Sequence, residues 1–420
     1  MRLLTNARLI DPASGHDGPG AMRVRDGLII EIAEELQPRD GETVHDLQGA
    51  ALAPALIDLR CRAKPGAGGA AGLDATARAA AAGGVGTVVL APDSGPGLSH
   101  PEDFASIETA ALTSPVRLLP SGLAVDSAGE MGEIGLMLRA GAGLIGDGGA
   151  AIADTRLARR ILAYASTFDA WVSLRAEDPH LARGTCAHES DLAMRLGLPA
   201  RPGSGERMAV ERGAALCELT GSRLMFDRIT TAEALAALAA ARARGLELAV
   251  TAPVTHFIFN EVDAGGFDAR FRLEPPLRSE TDRLALIKAL ADGDIDAVVS
   301  DHHASTGEAK AHPFPETEAG SANLEALLPA LCTLAADGRV SLIDALRPVT
   351  SGPADLLGLD QGRLEPGAPA DLVAFDPEAP VVYGRGGLAC TASSAFENRR
   401  LFGRTLITII EGAIIHQPER

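Results

Sequence analysis

Ala51-Leu-Ala-Pro-Ala-Leu-Ile-Asp-Leu-Arg-Cys-Arg62 is the stretch that decides the fold of this chain. An apolar run from Ala51 to Ile57 leads into Asp58, Arg60 and Arg62, and the turn residues Lys64-Pro65-Gly66 close it. Such a run, bracketed by Pro and Gly, predicts a buried strand ending in a loop. Side chains alternate along a strand, so Arg60 and Arg62 share one side and Cys61 takes the other. Two arginines at a strand's end are either a solvated rim or the edge of a site.

Further along, apolar runs of strand type alternate with Ala- and Leu-rich helical segments. The strands are predicted at 51–58, 87–91, 116–120, 144–147, 171–175, 223–227, 246–253 and 295–301. The clearest helices are predicted at 74–82, 154–165, 206–219, 231–244, 280–291 and 322–336. Thr230-Thr231 supplies an N-cap for the fourth of these. Eight strand–helix units predict an α/β chain folded as a TIM-type (β/α)8 barrel, whose site lies at the C-terminal ends of the strands. A doubly wound open sheet is the alternative.

Both ends of the chain read as β. Residues 2–11, 21–25 and 28–32 alternate, and Asp26-Gly27 between the last two is a hairpin signal. Residues 371–376, 405–410 and 412–415 match them in style, punctuated by Gly362 and Gly367. The expected organisation is a small β-sandwich-like domain built from both termini, 1–52 plus 362–420, around a barrel of 53–361.

Composition bounds the function. The chain has 420 residues, 46% hydrophobic and 22% charged, which is ordinary for a globular protein and long enough for a large core. No apolar run is long enough to span a membrane, and Met1-Arg-Leu-Leu-Thr-Asn6 lacks the apolar region of a signal peptide. Cys61, Cys186, Cys217, Cys332 and Cys390 are scattered and odd in number, which reads as reduced thiols in a cytoplasmic protein. A net charge of −18 argues against nucleic acid and acidic membrane surfaces as partners. The scarcity of lysine (Lys64, Lys288 and Lys310 alone) reads as coding bias.

Ala55-Leu-Ile-Asp58 resembles the first-strand motif of dihydroorotases, members of the amidohydrolase superfamily. The resemblance extends over nearly the whole chain. Glu274-Pro-Pro-Leu-Arg278, with Asp282, is similar to the family's Asn-Pro-Pro-Leu-Arg segment. Asp292-Gly-Asp-Ile-Asp296 with Asp301-His302-His303 resembles its eighth-strand motif. Asp147-Gly-Gly149, Ala176-Glu-Asp178, Ser393-Ser-Ala-Phe-Glu-Asn398 and Phe402-Gly-Arg-Thr405 fall where the family has corresponding blocks.

What the resemblance implies is a metal-dependent opening and closing of a cyclic ureide. The family's zinc site takes two histidines from the first strand and a carboxylate, or a carboxylated lysine, from the fourth. Histidines of the fifth and sixth strands and an aspartate of the eighth complete it. By resemblance those positions are Arg60, Arg62, Asp147 (or Gly148), Arg175, Arg228 and Asp301. All four histidines are arginine here. Arginine has no acceptor lone pair and keeps its charge. At an effective dielectric of about 20, a unit charge about 4 Å from a divalent ion opposes it by several kcal/mol. No lysine falls in 144–147, so no carboxylated lysine is available. No metal and no cofactor are therefore expected, with Asp301 left as a vestigial general base.

Substrate positions differ as well: by resemblance they are Lys64, Asp93, Glu274 and His302. Glu274 replaces an asparagine, and Asp93 lies in Ala91-Pro-Asp-Ser94 where the family has Met-Pro-Asn-Thr. Other histidines offer no ligand set; His256 follows the seventh strand at the mouth, and His303 follows His302. Non-catalytic dihydroorotase-like chains of this family are structural partners of aspartate transcarbamoylase in pyrimidine biosynthesis. The resemblance thus implies a pseudoenzyme in a hetero-oligomer with that enzyme. Two alternatives remain open: a cyclic-amide hydrolase (dihydroorotase, allantoinase or hydantoinase) with a rebuilt site, and an anion-binding module. In the first reading the mouth arginines are expected to pair with Asp147 or Asp301.

Overall fold

The computed structural model describes residues 1–63, 70–94, 97–384 and 393–418. Lys64 and Cys390, singled out from the sequence, lie outside these residues.

Eight parallel strands close into a TIM-type (β/α)8 barrel. They are Leu56–Arg62, Val85–Leu90, Arg117–Leu123, Leu144–Gly146, Trp171–Arg175, Arg223–Asp227, Leu248–Pro253 and an eighth in two pieces, Ala297–Val299 and His302–His303. The first piece of the eighth pairs with the seventh strand, at Thr251 to Ala297. Its second piece pairs with the first strand, His302 to Cys61 and His303 to Arg62, and this closes the ring. Ser300 and Asp301 form the break between the pieces.

Strands covered on both faces read as continuous apolar runs, as in Val85-Gly-Thr-Val-Val-Leu90, where every residue is buried. The intervening helices start on side-chain caps. Asp154 accepts the backbone N–H groups of Arg156 and Leu157, Thr231 that of Ala234, and Ser279 that of Asp282. Each cap satisfies donors that the first helical turn leaves without partners.

The apolar run at 51–58 is not one strand. It divides at Ala55: Ala51–Pro54 pairs with Phe375–Leu372 of the C-terminal segment, and Leu56–Arg62 opens the barrel. The terminal strands form one continuous eight-stranded sheet from Arg2–Asp11, His16–Arg25, Leu28–Ala33, Thr43–Asp46, Ala51–Pro54, Leu372–Val382, Arg400–Ile410 and Ala413–His416. Asp26 and Gly27 both take positive φ, 52° and 80°, as a two-residue hairpin turn requires. This sheet has its own core, including Leu4, Met22, Ile29, Leu52, Leu372 and Ile409.

The sheet is fixed to the barrel at close range. Gly86 in the second barrel strand has no room for a Cβ, which would stand 2.6 Å from Ile410 Cδ1. Arg117 Nε lies 3.1 Å from Asp371 Oδ2 across the same boundary. Cys61, Cys186, Cys217 and Cys332 are all buried. Among the described residues no helix is long and apolar enough to cross a membrane.

Candidate functional site

Alternation along the first strand sends Cys61 into the apolar core and Arg60 and Arg62 to the barrel mouth. Arg60 is 6% exposed. Its Nε donates to Asp301 at 3.1 Å, and its Nη1 lies 3.2 Å from Asp227 Oδ2. Arg228, at the end of the sixth strand, completes the group. Its Nε donates to Asp227 at 3.0 Å, and its Nη1 lies 3.1 and 3.2 Å from the two oxygens of Asp301. Asp227 and Asp301 thus each serve two guanidinium groups. Arg62 pairs with Asp93, in the loop after the second strand.

A second network lies beside the first. Arg175 ends the fifth strand and lies 3.3 Å from Glu274 Oε1 and 3.6 Å from Glu177 Oε2. Arg201 joins the same two carboxylates. Arg272 Nη1 lies 3.7 Å from Glu274 Oε2. Arg228 Nη1 ties the networks together by donating to the Glu274 carbonyl at 2.6 Å.

These charges set the protonation of the mouth. Burial would raise the Asp301 carboxyl, but Arg228, Arg60 and Arg62 outweigh it and hold it well below the ordinary carboxylate range. Burial is likewise outweighed at Glu274 by Arg201, Arg175 and Arg272, and at Asp93 by Arg60 and Arg62. A carboxylate held this firmly ionised is a weak proton acceptor. Asp301 is thus poorly suited to act as a general base.

Asp147 behaves differently. Burial pushes its carboxyl up to about 7, with Asp227 adding to the rise and the Arg175 N–H opposing it. Its Oδ2 accepts that N–H at 2.9 Å, and no cation lies within salt-bridge range among the described residues. The expectation that Asp147 or Asp301 pairs with the mouth arginines is met by Asp301.

His302 and His256 are structural. His302 is buried, and its Nδ1 accepts the N–H groups of Asn323 and Leu324, both at 3.2 Å. Burial lowers it to about 3, so it stays neutral. It makes no hydrogen bond to Asp301 among the described residues, and the substrate position that the resemblance gives His302 is filled instead by a pin beneath the mouth. His256 bonds Thr255 Oγ1 and the Pro276 carbonyl at 3.1 and 3.2 Å and holds the Pro275-Pro276 turn instead of facing the mouth. Arg278 of that turn donates to Glu206 at 2.7 Å and Thr230 Oγ1 at 2.9 Å.

The matching family models are the amidohydrolase family, over residues 200–415, and the dihydro-orotase-like family, over residues 49–234. A dihydroorotase-like protein of Pseudomonas aeruginosa is 33% identical over 99% of both chains. A dihydroorotase of Solibacter usitatus is 32% identical over 98% of this chain and 97% of its own. The chain belongs to the dihydroorotase-like proteins of the amidohydrolase family. The L-hydantoinase of Arthrobacter aurescens shares the fold, with a TM-score of 0.87 at 19% identity over 100% of this chain and 96% of its own.

A dihydroorotase-like zinc site needs neutral imidazoles and carboxylates with open lone pairs. Here the converging side chains are guanidinium groups whose N–H bonds point at Asp227, Asp301 and Glu274. Among the described residues no group of three or more His, Cys, Asp or Glu side chains is placed to hold a metal ion. The residues present do not fit the metal.

Sequence reading missed Asp227, Arg201 and Arg272. Asp227 had a usable signal, as the final residue of a barrel strand. Arg201 reaches the mouth from a two-residue strand and Arg272 from a loop, and no local pattern marks them.

Proposed function

We propose that this dihydroorotase-like chain has exchanged metal-assisted hydrolysis for a structural role, as a partner of aspartate transcarbamoylase in pyrimidine biosynthesis. The observation that carries the loss of chemistry is the Arg60–Asp301–Arg228 arrangement. It puts two permanent cations on the carboxylate that would have to take up a proton, in the space a metal-bound water would need. Glu274 adds to this. It fills the mouth through Arg175 and Arg201, where an anionic dihydroorotate would meet a carboxylate.

The partner follows from the family resemblance and from where the sequence has changed. The barrel, its helix caps and the terminal sheet are intact, while the ligand positions are replaced. Selection that keeps a surface and gives up a site fits a protein retained for what it holds.

The decisive test has two arms. Purified protein is assayed for zinc and for cyclisation of carbamoyl aspartate. About one metal per chain, with turnover abolished by chelator, would install the alternative of a rebuilt cyclic-amide hydrolase. In the second arm the chain is co-expressed with its own transcarbamoylase, and co-elution at a defined stoichiometry is expected.

A further inference from the structure

Beneath the mouth pairs, inside the ring of strands, lies a small cavity of about 20 Å³. Its polar lining comes from six different strands or their ends: Arg60, Ser121, Asp147, Ser173, Asp227 and Thr251. A cavity needs about 10–15 Å³, measured over the positions a water centre can take, to hold one water. This one has room for a single water and for little that is larger.

Two of the lining groups are spent on each other and on the arginines. Asp227 holds Arg60 Nη1, Arg228 Nε and the Thr251 hydroxyl at 3.2, 3.0 and 3.2 Å. The other four have capacity left. Arg60 is 6% exposed, and its Nη2 makes no hydrogen bond among the described residues. Asp93 Oδ1 stands 3.8 Å from that nitrogen, out of hydrogen-bonding range. Asp147 receives the Arg175 N–H on Oδ2, which leaves Oδ1. The hydroxyls of buried Ser121 and of Ser173 make no hydrogen bond among the described residues.

A cation in this cavity would sit against Arg60, and an anion against Asp147 and Asp227. A water both donates and accepts, and a buried one makes about three hydrogen bonds to groups that otherwise lack partners. Burial lifts the Asp147 carboxyl to about 7, and a water serves either form, donating to the carboxylate or accepting from the acid. We propose that one ordered water sits here, accepting from Arg60 Nη2, bonding Asp147 Oδ1 and completing its set with the Ser121 and Ser173 hydroxyls. It ties Asp147, which no guanidinium reaches within salt-bridge range, into the arginine plug. The reading is independent of the scaffold role, since the plug needs closing from below whatever the surface holds.

The full chain is crystallised with bromide in place of chloride, so that an anion in the cavity would show by its anomalous scattering. The expected result is one oxygen-sized density peak without anomalous signal, within about 3.2 Å of both Arg60 Nη2 and Asp147 Oδ1. Deuteron relaxation dispersion of the solvent follows the same water in solution. Ser121→Val removes a hydroxyl and fills the cavity, so it should lose one long-lived water relative to the wild type. Thermal unfolding checks that the variant folds, and Ser173→Val makes the same test from the fifth strand if it does not. An empty cavity, an anomalous peak in it, a peak out of reach of either group, or an unchanged number of long-lived waters in the folded variant would overturn the proposal.

Discussion

Arg228 and Asp301 face each other across the barrel mouth, with Nη1 of the arginine 3.1 and 3.2 Å from the two carboxylate oxygens. Both residues hold left-handed backbone, at φ 60° and 47°. Such conformations cost non-glycine residues about 1–3 kcal/mol each and persist where the surroundings over-determine them. The ion pair and the strand closure at His302 supply that determination. Asp301→Ala leaves two buried guanidinium groups sharing Asp227. It should lower stability by about 3 kcal/mol, in the range for breaking a buried pair. Urea unfolding checks this, and a loss below about 1 kcal/mol, typical of an exposed pair, would mean the pair does not hold the mouth.

Restoring the first-strand histidines should not restore chemistry. In Arg60→His/Arg62→His, Arg175 and Arg228 still keep their charges at the barrel mouth. The double variant should gain neither stoichiometric zinc nor turnover of dihydroorotate. Zinc in the double variant at one per chain would show that the remaining arginines do not exclude the ion.

Asp58 gives the protein a pH dependence. It lies fully buried below the first strand's arginines and accepts the N–H groups of Ser300 and Arg60 at 3.0 and 3.3 Å. Burial raises its carboxyl to about 7. Unfolded, it titrates near the ordinary value of about 3.9, so between these limits the folded state binds more protons and stability falls as pH rises. Below the lower limit both states are protonated and the penalty vanishes. Asp58→Asn keeps the acceptor and removes the charge. It should match the wild type near pH 4 and exceed it at pH 8 by up to about 4 kcal/mol, three pH units of linkage. Parallel stability curves across that range would refute the assignment.

The Pro-Pro-Leu-Arg turn is anchored through one side chain. Arg278 donates from Nε to Thr230 and from Nη2 to Glu206, both partners buried. Lysine offers one point charge in place of that fork. Arg278→Lys should cost about 2 kcal/mol by stranding one buried acceptor. Retention of wild-type stability would show that the turn is held by His256 and the apolar residues alone.

The barrel was legible because each strand carries its own apolar run and punctuation. The division at Ala55 was not, since both halves of 51–57 are apolar and only the partners of each half separate them. At the mouth, alternation placed Arg60 and Arg62 correctly. The same rule sends Asp227 and Arg228, neighbours in sequence, to opposite faces. Only the left-handed turn at Arg228 brings its guanidinium back onto the preceding carboxylate. Arg201 reaches the mouth from a two-residue strand, Ala200–Arg201, paired with Ala187–His188. That placement depends on the path of a loop and leaves no periodic trace.

The transcarbamoylase partnership makes the farthest-reaching prediction. A lasting complex needs an interface of roughly 1,600 Å² in total, about half from each partner. The chain exposes 16762 Å² of surface, so such a patch would take only a small part of it. Nothing in the role requires the mouth, so Asp301→Asn and Arg60→Met should co-elute with transcarbamoylase as the wild type does. Deleting the gene should reduce the assembly size or activity of transcarbamoylase and leave dihydroorotase activity in the extract, because another chain would perform that chemistry. Mouth variants that keep the complex, beside a deletion that dissolves it, would separate the surface from the site. If the deletion instead removes dihydroorotase activity and the transcarbamoylase elutes at unchanged size, the chain is a hydrolase and the scaffold reading fails.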